Sequence, residues 1–456
     1  MIRRLLLMLA LLAATPAAAQ QAQVNVTRTG DAFVAEFDLP RASPAWGFFR
    51  SSPARDKQSW RLQSWQVLTP GVALQRCGNF DALVGVNGRP IPPKVRVRVT
   101  PFTGELLADY VPALRLGGDS VAIFDGHFAV FSVNRVTVFD RLAGRPPPGS
   151  VIDTGTRVRF RGTNLRLAGD VDGYRRGDSE GTYGLYDVPR PVVRMGIATV
   201  LDTDLPQWIA ADLASYTPRA IEVLSAGLGP SGVAEPTILA AWEGANREGA
   251  SMNGGTLKGL ILMRFEGRAA LKPVPALTDL AHWFIAHEAS HFWLGQSVHY
   301  GSQRDSWIME GGADLLAVRT VQSLNPAFDG RAKLNEAIRD CSDLAFQPVA
   351  TAIDRNQVRA NYACGLVFAL VAERASRGDF YSFVRALVAA NLADQEVTTA
   401  DWLAAFERAG GSRAQSNQIR VLVERGSASP KQAIAKLLRD AGTPFALNRE
   451  GVPQLQ

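Results

Sequence analysis

Cysteine and histidine are both scarce in this chain, with three of the first and five of the second among 456 residues. Three scattered cysteines, Cys77, Cys341 and Cys364, cannot make a four-thiolate zinc site, and they exclude a disulfide-dense scaffold. An odd count allows one bridge and leaves one thiol over; Cys341 and Cys364 are the closer pair in sequence. No apolar run after the first residues reaches the ~18 that a membrane span requires. No Lys/Arg run interleaves with aromatics, so nucleic-acid binding finds no support. Neither sign of charge dominates, with 49 Lys and Arg against 43 Asp and Glu. The formal balance is +6, and two of those cations, Arg3 and Arg4, belong to the N-terminal segment. Apolar residues make up 46% and charged residues 20%, a globular balance that excludes a disordered or fibrous chain.

The first nineteen residues read as an address. Arg3 and Arg4 form a positive n-region, residues 5–14 a short apolar core, and Ala17-Ala18-Ala19 the small residues before a cleavage point at Gln20. No cysteine follows that point to carry a lipid, and the two arginines lack the rest of a folded-export signal. The expectation is a signal peptide over 1–19 and an exported protein, periplasmic or secreted, with no stable membrane span after signal removal. Such a compartment permits a disulfide.

Residues 20–190 read as β-rich. Residues 24–27, 32–37, 94–99 and 157–161 largely alternate apolar and polar, the signature of half-buried strands. Asn87-Gly88 and Gly117-Gly118-Asp119 are turns, Pro146-Pro147-Pro148-Gly149 is a stiff connector, and residues 170–184 form an exposed loop. Asp170-Val171-Asp172-Gly173 lacks most ligand positions of a calcium loop and reads as a plain turn. After Pro191 the period changes. Residues 205–228 predict a helix with Pro206 in its first turn and Gly227 and Gly229 near its end. Residues 237–242 and 257–265 predict strands, and from Leu277 to about Ala441 the chain is mostly helical. The plan is α+β and multidomain: an antiparallel β-sandwich-like domain to residue 190, an α/β domain over 191–412, and C-terminal helices and a tail over 413–456.

Four of the five histidines, His282, His287, His291 and His299, fall within eighteen residues, and among them stands His287-Glu288-Ala289-Ser290-His291, an H-E-x-x-H. Thr278 is a candidate N-cap and Gly295 a candidate stop for the helix that carries it. On a helix His287 and His291 lie one turn and about 40° apart, so two imidazoles can share one ion. A catalytic zinc needs a third protein ligand and an open position for water. A third histidine six residues on would be a metzincin, but Leu294 and Ser297 occupy the Gly and His positions of that pattern. Eighteen residues separate His291 from Glu310, which stands in Trp307-Ile308-Met309-Glu310-Gly311-Gly312-Ala313. Two adjacent glycines inside a helix point to close backbone approach, since each costs about 1 kcal/mol there. His282, five residues before His287, faces away from the metal stripe; His299 is a loop histidine; His127 has no partner visible in sequence.

H-E-x-x-H followed after eighteen residues by W-x-x-E-G-x-A resembles the gluzincin metallopeptidases, in particular the aminopeptidase-N and leukotriene-hydrolase-like group. The resemblance covers about 191–411. It implies a thermolysin-like catalytic domain with one Zn²⁺ on His287, His291 and Glu310, and Glu288 as general base toward the zinc-bound water. It also implies an oxyanion donor from a Y-x-x-G motif, here Tyr362-Ala363-Cys364-Gly365. Asp314, one turn past Glu310, fits either a second-layer acceptor for a ligand histidine or a solvated helix acid. The group's amine-anchoring G-x-M-E-N segment has no counterpart: Ser251-Met252-Asn253-Gly254-Gly255-Thr256 contains no acid. Gly254 and Gly255 offer room for substrate backbone, and the strand after them can pair with an extended peptide. The function expected is an exported zinc metallopeptidase acting on a peptide or protein substrate. The alternatives are a zinc- or peptide-binding protein that has lost catalysis, and a structural β-protein with an incidental motif.

Overall fold

The computed structural model describes residues 21–143, 146, 149–152, 155–168, 175–176, 181–233 and 236–456. The signal segment, the middle of the Pro146–Gly149 connector and Asp170–Gly173 with most of its loop lie outside the described residues. The chain divides into two compact units, the first holding most of the chain up to Asp187 and the second running from Val188 to Gln456 with the short stretch Arg115–Ser120.

Among the described residues the first unit holds one six-stranded and two four-stranded sheets. Alternation sets its strands: in Lys94–Val99 the three valines are buried while Lys94, Arg96 and Arg98 face out. That strand pairs antiparallel with Ala32–Asp38, which pairs antiparallel with Ala22–Thr29. The expectation of antiparallel pairing is corrected at one place. Ala22–Thr29 runs parallel to Thr156–Arg161, with Val24 opposite Val158; the long intervening chain permits a parallel partner, which a hairpin does not.

A cation lies at the centre of this unit. Arg61, on the short helix α1 (Trp60–Ser64), is fully buried. Its guanidinium lies 4.4–5.2 Å from the ring centres of Phe48, Trp60 and Trp65 and donates to Asp81 Oδ2 at 3.0 Å and to the His127 carbonyl at 2.8 Å. Burial pushes Arg61 down to about 10, with Asp81 opposing, so it stays charged at neutral pH. His127 is buried beside it, and burial pushes it down to about 4. The ring is therefore neutral and donates from Nε2 to Tyr110 O at 2.8 Å, a packing role.

The second unit begins with a five-stranded sheet in the order Val192–Arg194, Ile197–Leu201, Thr237–Trp242, Leu260–Glu266, Ser251–Leu257. The three inner strands are parallel and the two edge strands antiparallel. Here the single strand expected over 257–265 becomes two. Lys258 and Gly259 make a tight reversal, with Gly259 at φ +64°. Leu257 then closes one strand and Leu260 opens the next. The strand after the reversal is paired on both sides, so the sheet edge belongs to Ser251–Leu257, which carries Gly254 and Gly255.

Helix α2 (Gln207–Leu228) starts directly after Pro206 and stops at Gly229, φ +86°. The rest of the unit is mostly helical: α3 (Pro275–Ser290), α4 (Ser306–Leu324), α5 (Gly330–Leu344), α6 (Arg359–Ala375), α7 (Phe380–Ala390), α8 (Thr399–Arg408), α9 (Arg413–Glu424) and α10 (Pro430–Asp440), with two short strand pairs beside them. Local chemistry sets several starts, as in the capping boxes Thr398/Asp401 and Ser412/Gln415. α4 and α6 are buried nearly all round, as helices at the middle of a core must be. The Cys341–Cys364 disulfide ties α5 to α6, and Cys77 is a half-buried free thiol in the first unit. Among the described residues no helix is long and apolar enough to cross a membrane.

Deleting the Asp81 carboxylate strands a buried charge. Asp81→Ala is expected to cost about 3–5 kcal/mol, more than Arg61→Met, after which the Asp81 carboxylate keeps Arg76 Nη1 at 3.0 Å as its partner. Urea unfolding of both variants checks this; equal losses would remove the ion-pair explanation.

Candidate metal centre

The H-E-x-x-H helix is shifted from its expected frame. Thr278 is not the N-cap. Pro275 supplies a preset φ and no N–H at the first helical position, so α3 begins one turn earlier, and the amides of Leu277 and Thr278 bond back to Val274 O. Nor does the helix run to Gly295. It closes at Ser290 with His291 as its C-cap, and the amides of Phe292, Trp293 and Leu294 fold into tight turns before Gly295, φ +135°, redirects the chain. His291 keeps helical dihedrals, φ −67° and ψ −13°, so the one-turn relation to His287 survives. The turn also fixes its ring, because His291 Nδ1 lies 2.9 Å from Leu294 O and Nε2 is left pointing inward.

α4 brings the third group. His287 Nε2 and His291 Nε2 are 3.2 Å apart, and Glu310 Oε2 lies 3.5 Å from the first and 3.6 Å from the second. Donors about 2.0–2.1 Å from one tetrahedral ion must be about 3.3 Å from each other, so all three edges have the required length. Glu310 Oε2 is buried and makes no hydrogen bond of ordinary geometry, facing the two imidazole nitrogens instead, an arrangement that a cation would satisfy. Two imidazoles and one carboxylate are a zinc donor set.

One turn along α4, Asp314 Oδ1 sits 2.8 Å from His287 Nδ1. It is buried, so of its two readings the structure favours the one facing the histidine. This contact places the ring proton on Nδ1 and the lone pair on Nε2. Burial opposes charge on His287, but Asp314 and Glu310 outweigh it and hold the imidazole well above its ordinary range. His291 is raised in the same way against burial, chiefly by Glu310. The two rings in turn hold Glu310 below the carboxylate range, again against burial. A metal ion would take the place of the protons described by these shifts.

Glu288, buried at 9% exposure, is beside the three donors and does not join them. Thr256 Oγ1 donates to its Oε2 and lies 3.3 Å from its backbone oxygen. Thr256 is on the edge strand, so the sheet orients this carboxylate. The sequence reading passed over that residue; only the alternation of strand 251–257 could have shown that Thr256 shares a face with Gly254 toward α3.

Tyr362, near the start of α6, has its ring 5.9 Å from the His287 ring. Burial first, and then the Glu310 carboxylate, push its phenol above the ordinary range, so it stays a donor. Its position is set by the glycines. A methyl group on Gly311 would sit 2.0 Å from the Gly365 carbonyl carbon, and one on Gly365 would sit 2.2 Å from Trp307 O. Backbone meets backbone there, and the helix of Glu310 lies directly against that of Tyr362. Gly312 faces Leu294, in the turn after His291, at 2.7 Å. Gly254 has a different reason from the one expected. A methyl group there would meet Leu262 O at 2.0 Å and the Phe284 ring at 2.8 Å, so the strand's own packing demands glycine.

The remaining histidines lie outside the cluster. His282 bonds Asp212 at 2.9 Å and stacks on Tyr216 with ring centres 3.6 Å apart, and His299 is exposed in a two-residue strand against Glu396–Val397.

No family model matches the chain, and no curated protein matches it in sequence. Solved structures do. A mutant M1 zinc metallopeptidase from Deinococcus radiodurans with a Tyr-Ser-Ala substrate bound aligns with a TM-score of 0.50 and 16% identity, over 90% of this chain and 94% of that one. Native yeast leukotriene A4 hydrolase aligns with a TM-score of 0.50 and 12% identity, over 91% of this chain and 68% of the other. The likeness is one of fold: a mixed α+β architecture, β-rich first and helical last, that this chain shares with those two proteins.

Two outcomes test the centre. Asp314→Asn should weaken zinc binding about 10–100-fold in a chelator competition while leaving the fold intact. Gly311→Ala should lose about 1–3 kcal/mol by overpacking, despite alanine's better helix propensity. Gly312→Ala, which meets only the end of a leucine side chain, should lose less. Thermal melts rank the pair, and the reverse order would contradict the backbone contact with α6.

Proposed function

We propose that this chain is an exported zinc-dependent metallopeptidase that hydrolyses peptide bonds. The observation that carries the reading is the convergence of His287 Nε2, His291 Nε2 and Glu310 Oε2 at 3.2–3.6 Å, with Glu288 and Tyr362 beside them. The shared fold supports it, since one structure of that fold is of a zinc metallopeptidase holding a tripeptide. The signal-like residues 1–19 and the Cys341–Cys364 bridge support a periplasmic or secreted location.

His287, His291 and Glu310 would hold the zinc, and Asp314 would keep His287 in the ligating tautomer. Zinc held there supplies Lewis acidity, lowering the pKa of water toward about 7 and polarising a carbonyl. The chain's own groups do the rest. Glu288 takes the proton of the attacking water as the C–O bond forms. It then passes that proton to the amine nitrogen as the C–N bond breaks, so water is consumed and two peptides leave. Thr256 holds Glu288 Oε2, which keeps the carboxylate aimed. Tyr362, protonated, donates to the oxygen that gains charge in the tetrahedral state. The edge strand 251–257 offers backbone to an extended peptide.

A second reading, a zinc- or peptide-binding protein without turnover, draws on one feature: the edge strand carries no acid to anchor an amine. One pair of variants decides between them. Glu288→Gln should keep stoichiometric zinc by elemental analysis and lose about 10²–10⁴ in kcat on a mixed peptide pool. Tyr362→Phe should lose about 10²–10³ in kcat with little change in KM. Undiminished cleavage by Glu288→Gln would eliminate the mechanism, and intact peptides with the wild-type protein would favour the binder.

A further inference from the structure

Beyond the metal ligands, base and phenol, the second unit places a cation beside the same centre. Trp283 lies one turn before His287 on α3, with ring centres 5.2 Å apart, and Lys333 Nζ on α5 stands 5.4 Å from the Trp283 ring centre. The order is ammonium, indole, ligand imidazole. Lys333 is partly exposed, 39% by side chain, and its carboxylate neighbour Glu336, at 3.7 Å, is shared with Arg359 at 3.4 Å. Arg359 and Arg339 also share Asp340, at 2.7 and 3.6 Å. Lys333 thus shares its one carboxylate partner with Arg359, and Arg359 is itself divided between Glu336 and Asp340. The Cys341–Cys364 bridge joins the helix of Lys333 to the helix of Tyr362 and ties the two helices to each other.

From these distances Lys333 Nζ is at most about 11 Å from the His287 ring, the reach of two or three extended residues at about 3.3–3.6 Å each. The centre itself is rich in carboxylates, Glu288, Glu310 and Asp314, which repel an anionic substrate approaching without a counter-charge. An ammonium held over an indole, incompletely neutralised and within that reach, supplies one. Resting on the peptidase reading, we infer that Lys333 is a specificity-determining residue that binds a carboxylate of the substrate two or three residues from the scissile bond. That carboxylate is a free C-terminus or an Asp or Glu side chain.

The test uses the full chain loaded with zinc. In the Glu288→Gln background, calorimetry compares alanine-rich tri- to hexapeptides as free acids, as C-terminal amides, and as amides with one Glu moved along the chain. A carboxylate at the right spacing should tighten binding roughly tenfold over the neutral amide. Tightening by the free acid identifies the terminus, and tightening by the Glu amides identifies a side chain. Lys333→Ala should abolish the preference, Lys333→Arg should keep it, and Lys333→Glu should invert it. With Glu288 intact the same preference should appear in KM rather than kcat. Equal affinity for all three peptide sets, or a preference that survives Lys333→Ala, overturns the assignment while cleavage by the wild-type protein leaves the peptidase reading standing. Absence of wild-type cleavage overturns both.

Discussion

Glu310 Oε2 and two imidazole Nε2 atoms crowd within 3.6 Å of one another at the junction of α3 and α4. A buried carboxylate oxygen without a well-formed hydrogen bond is costly, and two lone pairs aimed at each other across 3.2 Å add to the cost. Protonation of the rings offsets part of it, which is why their pKa values rise while that of Glu310 falls. A divalent ion offsets it fully, since every donor then points at positive charge. The surrounding structure is arranged around keeping these three atoms together. Asp314 and the Leu294 carbonyl each restrain one ring from its far side. Gly311 lets α6 lie directly on α4, and Gly312 admits the turn that follows His291. The paired glycines weaken α4 as an isolated helix and make it the shared wall of the site.

Much of this was legible in the residues. The periodicity of 94–99 and the boundaries of 237–242 are set by alternation and burial, and the structure keeps both strands as expected. The donor triad follows from helical spacing and one following glutamate, and the structure brings all three atoms to one point. Tyr362 came from the resemblance, and the packing of α6 on α4 supplies the physical reason for its nearness. The Gly-Gly pair announced a close approach, and the structure gives its partners as the backbone of α6 at Gly311 and the Leu294 side chain at Gly312.

What was not legible depends on chain reversals and on tertiary partners. In the run 257–265 apolar residues stand on both sides of Lys258-Gly259, and nothing in that pattern shows which half becomes the sheet edge. Thr278 has the chemistry of an N-cap, but Pro275 outcompeted it by starting the helix earlier. The parallel partner of Ala22–Thr29 lies more than a hundred residues away, where local pattern carries no information. Thr256 and Lys333 are unremarkable in sequence. Their meaning comes from what lies across from them, a carboxylate in one case and an indole against a ligand histidine in the other.

The same geometry bears on how a substrate is held. Pairing along the edge strand uses backbone groups and therefore treats most sequences alike. Discrimination must then come from side chains and charges at fixed distances from the reacting carbonyl. On the edge strand residues 251–256 supply hydroxyls, an amide, a thioether and two glycines, but no charge. On α5 Lys333 divides the Glu336 carboxylate with Arg359 of α6. On the proposed reading, a peptide on the edge strand would meet neutral groups there and a charge only within reach of Lys333. That cation would then select for an anionic group on the substrate rather than for a free amine, with Glu288 and Tyr362 left as they are.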